Sequence, residues 1–189
     1  MSKPKVAFIT SRDSVPQLTR DQLSDIDHDF EVHICSSQGE IIEAIKGSDV
    51  IIDQGVPMPR EVIQEIDQAQ AIVSFGHGFD RIDHNAATDQ GVILVNTAGF
   101  CTEEVSNHAI MLLLACAKKL ALLNDLVKAG KWGPSTRDAI VPMVPIDGQT
   151  LGLVGLGNIA CATARKAKVF GLDLIAYDPF IPPWTAKEY

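Results

Sequence analysis

Basic clusters are missing from this 189-residue chain: its 16 Lys and Arg are scattered, no basic run exceeds two residues, and the formal net charge is −8. A polyanion needs a concentrated basic face, so no nucleic-acid partner is expected, although one small bound anion stays possible. Long apolar runs are equally scarce. The longest, Ala109–Ala117, is nine residues, far short of a bilayer span, and Val6-Ala7-Phe8-Ile9 is too short for a signal-peptide core. No membrane partner is expected. The four cysteines, Cys35, Cys101, Cys116 and Cys161, form no C-x-x-C pair and have no histidine at ligand spacing. They read as buried free thiols of a cytoplasmic protein rather than a disulfide frame, and no metal site is expected.

What is present is an ordinary globular composition, 46% hydrophobic and 21% charged, enough for one or two real cores. Short β-rich runs alternate with helical stretches through the first 97 residues. The strand candidates are Val6–Thr10, Glu31–Cys35, Val50–Asp53, Ala71–Phe75 and Val92–Asn96. Three of them have near-continuous apolar cores, as parallel strands covered on both faces do. Between them Val15–Leu23, Glu40–Ile45, Pro59–Ile66 and Asp83–Thr88 have room for helical turns. The pattern predicts an α/β, doubly wound parallel sheet of flavodoxin-like order over residues 1–98.

After Asn96 the character changes. Thr102–Lys128 contains no Pro or Gly and predicts one long helix, roughly 40 Å at 1.5 Å per residue. Thr102 serves as N-cap, Glu103 and Glu104 suit the positive end of the helix dipole, and Gly130 supplies the stop. The apolar middle, Ala109–Ala117, predicts burial on several sides. A helix linking two domains explains both features, with a hinge at Asn96–Thr102 where Gly99 absorbs rotation. Lys131–Pro145 reads as an irregular connection.

From Gln149 the chain again reads strand, turn, helix, strand: Thr150–Val154, Gly155, Asn158–Phe170 and Leu172–Tyr177. Gly155-Leu156-Gly157-Asn158-Ile159-Ala160 matches the dinucleotide fingerprint G-x-G-x-x-G/A. The first glycine permits the tight turn, the second admits a pyrophosphate close to the backbone, and the small third residue packs helix on strand. The helix amides and dipole then attract the phosphates. Asp178, ending the second strand, is placed to accept hydrogen bonds from the adenosine ribose. An ordinary βα turn leaves that acid unexplained. Residues 99–189 are thus expected to hold the interdomain helix and the first βαβ unit of an incomplete Rossmann domain.

These motifs resemble the D-isomer-specific 2-hydroxyacid dehydrogenase family, in style the branch that includes the C-terminal binding protein co-repressors. The resemblance rests on Gly76-His77-Gly78-Phe79-Asp80-Arg81-Ile82-Asp83, Val95-Asn96-Thr97-Ala98-Gly99, Val105-Ser106-Asn107-His108-Ala109, Gly130-Lys131-Trp132, Gln149–Gly157 and Ala176-Tyr177-Asp178-Pro179. It implies NAD as cofactor, a small 2-oxo or 2-hydroxy acid as substrate, and a homodimer when complete. It implies that Gly76, His77 and Gly78 present amides to the substrate carboxylate, in an anion nest. Thr102 would lie beside the nicotinamide, Asn158 and Ile159 would lend amides to the pyrophosphate, and Asp178 would hold the ribose. Four positions depart from the family's habit: Ser106-Asn107 stands for Ala-Glu, Asn158 for Arg, and Ala160 for the third glycine.

The family's carbonyl-polarising Arg and its His–acid pair lie in the remainder of the dinucleotide domain, past the point where this chain ends. No catalytic residue is therefore assigned. His77 is the one local histidine worth watching, His108 reads as a core hydrogen-bonding residue, and Cys101 lacks a visible base. The expectation is an oxidoreductase sequence whose 189 residues alone are inactive and self-associating. The alternative is a non-catalytic, NAD-responsive binding protein like the co-repressors; a free-standing flavodoxin-like module does not explain the run from Gly155 to Asp178.

Overall fold

The computed structural model describes residues 3–13, 21 and 23–186 of the chain. It divides into two compact units, residues 1–100 and 101–189. The first is a five-stranded sheet of β1 (Lys5–Thr10), β2 (Asp29–Ile34), β3 (Val50–Gln54), β4 (Ala71–Ser74) and β5 (Ile93–Asn96). Its order is β2-β1-β3-β4-β5 and every pair is parallel. This is the flavodoxin-like order expected from the alternation.

Side chains alternate across a strand, so each central strand feeds two cores. Ile9, Ile51 and Ile72 face α1 (Gln38–Ile45), α2 (Arg60–Ile63) and α3 (His84–Asp89), where Ile41, Ile45, Val62, Ile63, Ala86 and Ala87 are buried. Val6, Phe8 and Ile52 form the other cluster with Phe30, Val32 and Val73. The helix expected over Val15–Leu23 lies outside the described residues, apart from its last positions. α1 begins with a capping box: Ser37 Oγ accepts the Glu40 amide at 3.3 Å, and the Glu40 carboxylate accepts the Ser37 amide at 3.2 Å. α2 is shorter than the expected Pro59–Ile66. Its tail tightens into i→i−3 bonds, Glu65 N to Val62 O at 3.2 Å and Ile66 N to Ile63 O at 3.1 Å.

Among the described residues of this unit one carboxylate is buried. Asp53, 3% exposed at the end of β3, accepts the Val56 amide at 2.8 Å. Burial pushes its carboxyl up to about 6, against the opposing pull of the Val56 and Gly55 amides and the Arg81 charge. Unfolded, the group gives up its proton near 3.9. The native state therefore binds the proton more tightly, gaining stability as pH falls from 6 toward 4 and losing it as pH rises through 6. Asp53→Asn keeps the acceptor oxygen and removes the charge. It should stabilise the unit by about 3 kcal/mol at pH 7.5, with most of the advantage gone near pH 4. Urea melts at both pH values check this; equal differences at the two would refute it.

The second unit opens with α4 (Thr102–Ala117) and α5 (Leu120–Lys128). The single long helix expected here is broken at Lys118-Lys119, where Lys119 adopts a left-handed φ of +50°. Only one residue sits there, at a cost of about 1–2 kcal/mol for a side-chain-bearing residue. The break lets the amphipathic α5 form an apolar groove with Trp132, Pro134 and Ile140 through Leu123, Leu126 and Val127. No proline or glycine marks it in the sequence. Thr102 is the first helical residue, and Cys101 stands at the N-cap without a side-chain bond. Burial on several sides also fails: Ser106 and Ile110 are buried, while Met111 and Leu112 are half exposed.

Lys131–Pro145 is not wholly irregular, holding a 3₁₀ turn at Pro134–Thr136 and α6 (Arg137–Ile140). Then come β6 (Thr150–Val154), α7 (Asn158–Val169), β7 (Asp173–Tyr177) and the short α8 (Pro183–Ala186). β6 and β7 pair in parallel, from Thr150 opposite Asp173 to Val154 opposite Tyr177. Ile110, Ala167 and Leu172 form the core with Leu113, Leu114, Ile146, Leu151 and Leu174. This is one parallel βαβ unit of Rossmann type.

Candidate functional site

In the first unit, the loop after β4 holds Gly76, His77 and Gly78, the residues expected to face a carboxylate. Its carbonyls are pinned one after another: Gly76 C=O accepts the Thr97 amide at 3.0 Å, and His77 C=O accepts Asn96 Nδ2 at 2.8 Å. Gly78 C=O accepts Ser74 Oγ at 3.0 Å. A trans peptide points its N–H opposite its C=O, so the amides of His77, Gly78 and Phe79 are aimed away from these partners. Among the described residues no acceptor takes the amides of His77 and Gly78. The Gly76 amide differs, since it donates to Ser74 C=O at 2.8 Å. The open set is thus shifted one residue along from the expected Gly76–Gly78. Asn96 and Ser74, whose side chains bond the loop carbonyls, sit in strand ends that carry no motif of their own.

Arg81 is committed to structure, donating through Nη1 to Gly55 C=O at 2.8 Å. Met58 and Ile82 form a parallel bridge, which ties the chain after β3 to the same loop. His77 and His84 are exposed, and the His84 ring meets the Phe79 ring edge-on at 6.2 Å. His108 is exposed, so the core role expected of it fails. The thiols are not uniformly buried either: Cys35 is, Cys101 and Cys161 are partly exposed, and Cys116 lies on the surface. Among the described residues no group of three His, Cys, Asp or Glu could hold a metal, and no helix is long and apolar enough to cross a membrane.

In the second unit the turn from β6 to α7 is built as its sequence suggests. Gly155 has φ +92°, a region side chains avoid, and its amide donates to Tyr177 C=O at 2.7 Å. Gly157 caps α7 with φ −77°, which any residue can adopt, and an added Cβ would meet nothing within 4 Å. Nothing in the protein requires glycine at that position. An open face there suits a ligand that approaches the backbone closely. Behind it, the amides of Gly157, Asn158, Ile159 and Ala160 find no acceptor among the described residues, and Cys161 N is the first to bond, to Gly157 O at 2.9 Å. These are the orphan donors of a helix start, backed by the helix dipole.

Asp178 is not idle. Its Oδ2 accepts the Leu156 amide at 2.8 Å, and its Oδ1 accepts the Phe180 and Ile181 amides at 2.8 and 3.0 Å. An ordinary structural role therefore does account for the acid, contrary to the argument from sequence. The Leu156 amide foremost, then those of Phe180 and Ile181, holds its carboxyl below the usual range against partial burial. A carboxylate has about four acceptor sites, so one remains on Oδ2, enough for one hydroxyl. The donor set and the open glycine fit a pyrophosphate with an adjoining ribose, and that fit rests more on Gly157 than on Asp178.

Thr102 stands half buried at the start of α4. The start of this helix is tied to α7: Lys166 Nζ donates to Glu103 Oε2 at 2.8 Å, to Glu103 C=O at 3.4 Å, and to Ser106 Oγ. Glu103 is therefore more than a complement to the helix dipole.

Comparison with known proteins places the chain in a family. Residues 7–177 match the D-isomer specific 2-hydroxyacid dehydrogenase, catalytic domain. The D-3-phosphoglycerate dehydrogenase of Methanocaldococcus jannaschii is 33% identical over 161 residues, covering 85% of this chain and 30% of that protein. The glyoxylate reductase of Korarchaeum cryptofilum is 31% identical over 182 residues, 93% of this chain and 53% of that protein. The solved D-lactate dehydrogenase of Aquifex aeolicus, complexed with NAD and lactic acid, superposes with a TM-score of 0.77 at 21% identity, over 97% of this chain and 54% of that one. The chain thus spans about half the length of the reductase it matches, and less of the phosphoglycerate enzyme. With the match running from β1 to the end of β7, the chain belongs to the D-isomer specific 2-hydroxyacid dehydrogenase family.

Proposed function

We propose that this chain serves an NAD-dependent oxidoreductase acting on a small 2-oxo or 2-hydroxy acid. Residues 1–98 form the substrate-binding domain and residues 99–189 hold the cofactor. The observation that carries this is the α7 start, with open amides behind a glycine that the protein's own packing does not demand. Bound NAD would supply the hydride acceptor or donor at nicotinamide C4; the protein's part is to orient two carbons and exclude water. Gly157, Asn158, Ile159 and Ala160 hold the pyrophosphate through their amides, Gly155 shapes the turn, and Thr102 flanks the nicotinamide. The amides of His77, Gly78 and Phe79 hold the substrate carboxylate, with Gly76 setting the loop. The working protein is a homodimer in the cytoplasm, by analogy with the family.

Cofactor choice follows from Asp178. Its one remaining acceptor site takes a ribose hydroxyl of NAD, and its charge repels the 2′-phosphate of NADP. NADH should bind this chain about tenfold or more tightly than NADPH, and Asp178→Ala should narrow the ratio severalfold. The same substitution also frees the Leu156, Phe180 and Ile181 amides, so affinity for both should fall together as well. Fluorescence titration with the two reduced cofactors reads both effects. Equal affinities in the unaltered chain would remove Asp178 from this role.

A further inference from the structure

Lys166, in the last turn of α7, is three-quarters buried, and its ammonium group has three acceptors at the start of α4, two on Glu103 and one on Ser106. Ser106 is fully buried, and its hydroxyl both accepts from Lys166 and donates to Glu103 C=O at 3.0 Å. Exposed ion pairs between long side chains hold little, because each partner has other rotamers and water competes. This one differs: its centre is a buried hydroxyl on a helix backbone, bridging residues 60 apart in sequence. An alanine at position 106 would offer Lys166 no oxygen there.

We propose that Lys166 is a positioning residue: through Ser106 and Glu103 it sets the register of the first turn of α4 on α7. That turn begins at Thr102. The amides that face the pyrophosphate belong to the N-terminal end of the same α7. Lys166 therefore fixes Thr102 relative to the phosphate site, and with it the space left for the nicotinamide end of the cofactor. The inference rests on the reading of α7 as the dinucleotide helix. The altered pair of groups lies at the far end of α7 from the phosphate amides, so disturbing it shifts Thr102 and leaves those amides in place.

The test uses the whole chain with Lys166→Met and Lys166→Arg, NADH and ADP-ribose as ligands, and hydrogen exchange as a readout that needs no ligand. ADP-ribose carries the pyrophosphate and both riboses but no nicotinamide. Lys166→Met should speed exchange of the amides of Val105 and Ser106, with their peptide neighbours, about tenfold while β6 and β7 keep their protection. It should weaken NADH roughly fivefold and leave ADP-ribose within twofold, and Lys166→Arg should recover most of both losses. Equal weakening of the two ligands, or faster exchange throughout the unit, would mean that Lys166 merely stabilises the fold and would overturn the proposal. So would unchanged exchange at the α4 start. If the unaltered chain binds neither ligand, the cofactor reading fails while the exchange experiment still decides the register. Should Lys166→Met not fold, Glu103→Gln on the exposed side of the network takes its place, with the same pattern at smaller size and the same contrary results.

Discussion

Gly157→Val should leave the chain folded and weaken its affinity for NADH by roughly 100-fold. The two halves of that statement have separate origins. The backbone at Gly157 has φ −77° and ψ −174°, an extended conformation that β-branched residues favour, and no atom lies within 4 Å of the added Cβ. The N-cap glycine makes no side-chain bond, so replacing it by valine costs about 1 kcal/mol of helix stability. The isopropyl group fills the space over the amides of Asn158, Ile159 and Ala160 instead. Two charge-assisted hydrogen bonds lost at about 1.5 kcal/mol each make the hundredfold. Unchanged affinity, with the circular dichroism spectrum intact, would show that nothing approaches this turn.

The second large effect is an absence of turnover. The purified 189-residue chain should bind cofactor and yet leave NADH absorbance unchanged with glyoxylate, pyruvate or hydroxypyruvate. Reduction of a 2-oxo acid needs a proton donor at the carbonyl oxygen and a cation to stabilise the charge that develops there. Among the described residues, the Gly76–Phe79 loop has neither. Arg81 is held by a bond from Nη1 to the Gly55 carbonyl, and His77, although exposed beside the open amides, has no carboxylate bonded to its ring. A missing general acid alone costs roughly 10²–10⁴ in rate, and an unmet oxyanion roughly 10²–10³ more. Turnover that His77→Ala abolishes would overturn this and place the chemistry on that ring.

The sheet was legible because its signal is strong and local. β1 and β3 read as near-continuous apolar runs, as strands covered on both faces do, and the two cores they feed follow from side chains pointing to opposite faces. The turn at Gly155 was legible for a similar reason, since a positive φ leaves glycine little competition. The break at Lys119 was not. No proline or glycine marks it, and helical propensity on either side argues for continuation. Asp178 was half read: an acid at the end of a strand looks like a ribose ligand, but backbone amides that close the turn are invisible in a one-dimensional spacing. The same applies to Gly76, whose amide is taken by a carbonyl two residues back. Lys166 carried no signal at all, because 60 residues separate it from its nearest partner, Ser106.

The central claim, that the β6–α7 turn binds a dinucleotide, is tested most directly by titrating the ¹⁵N-labelled chain with NADH and following each amide by NMR. The largest shifts should fall on Gly157, Asn158, Ile159 and Ala160, with smaller ones at Thr102 and Asp178, and Gly157→Val should remove them. Shifts confined to residues outside this turn, or spread evenly over both units, would contradict it.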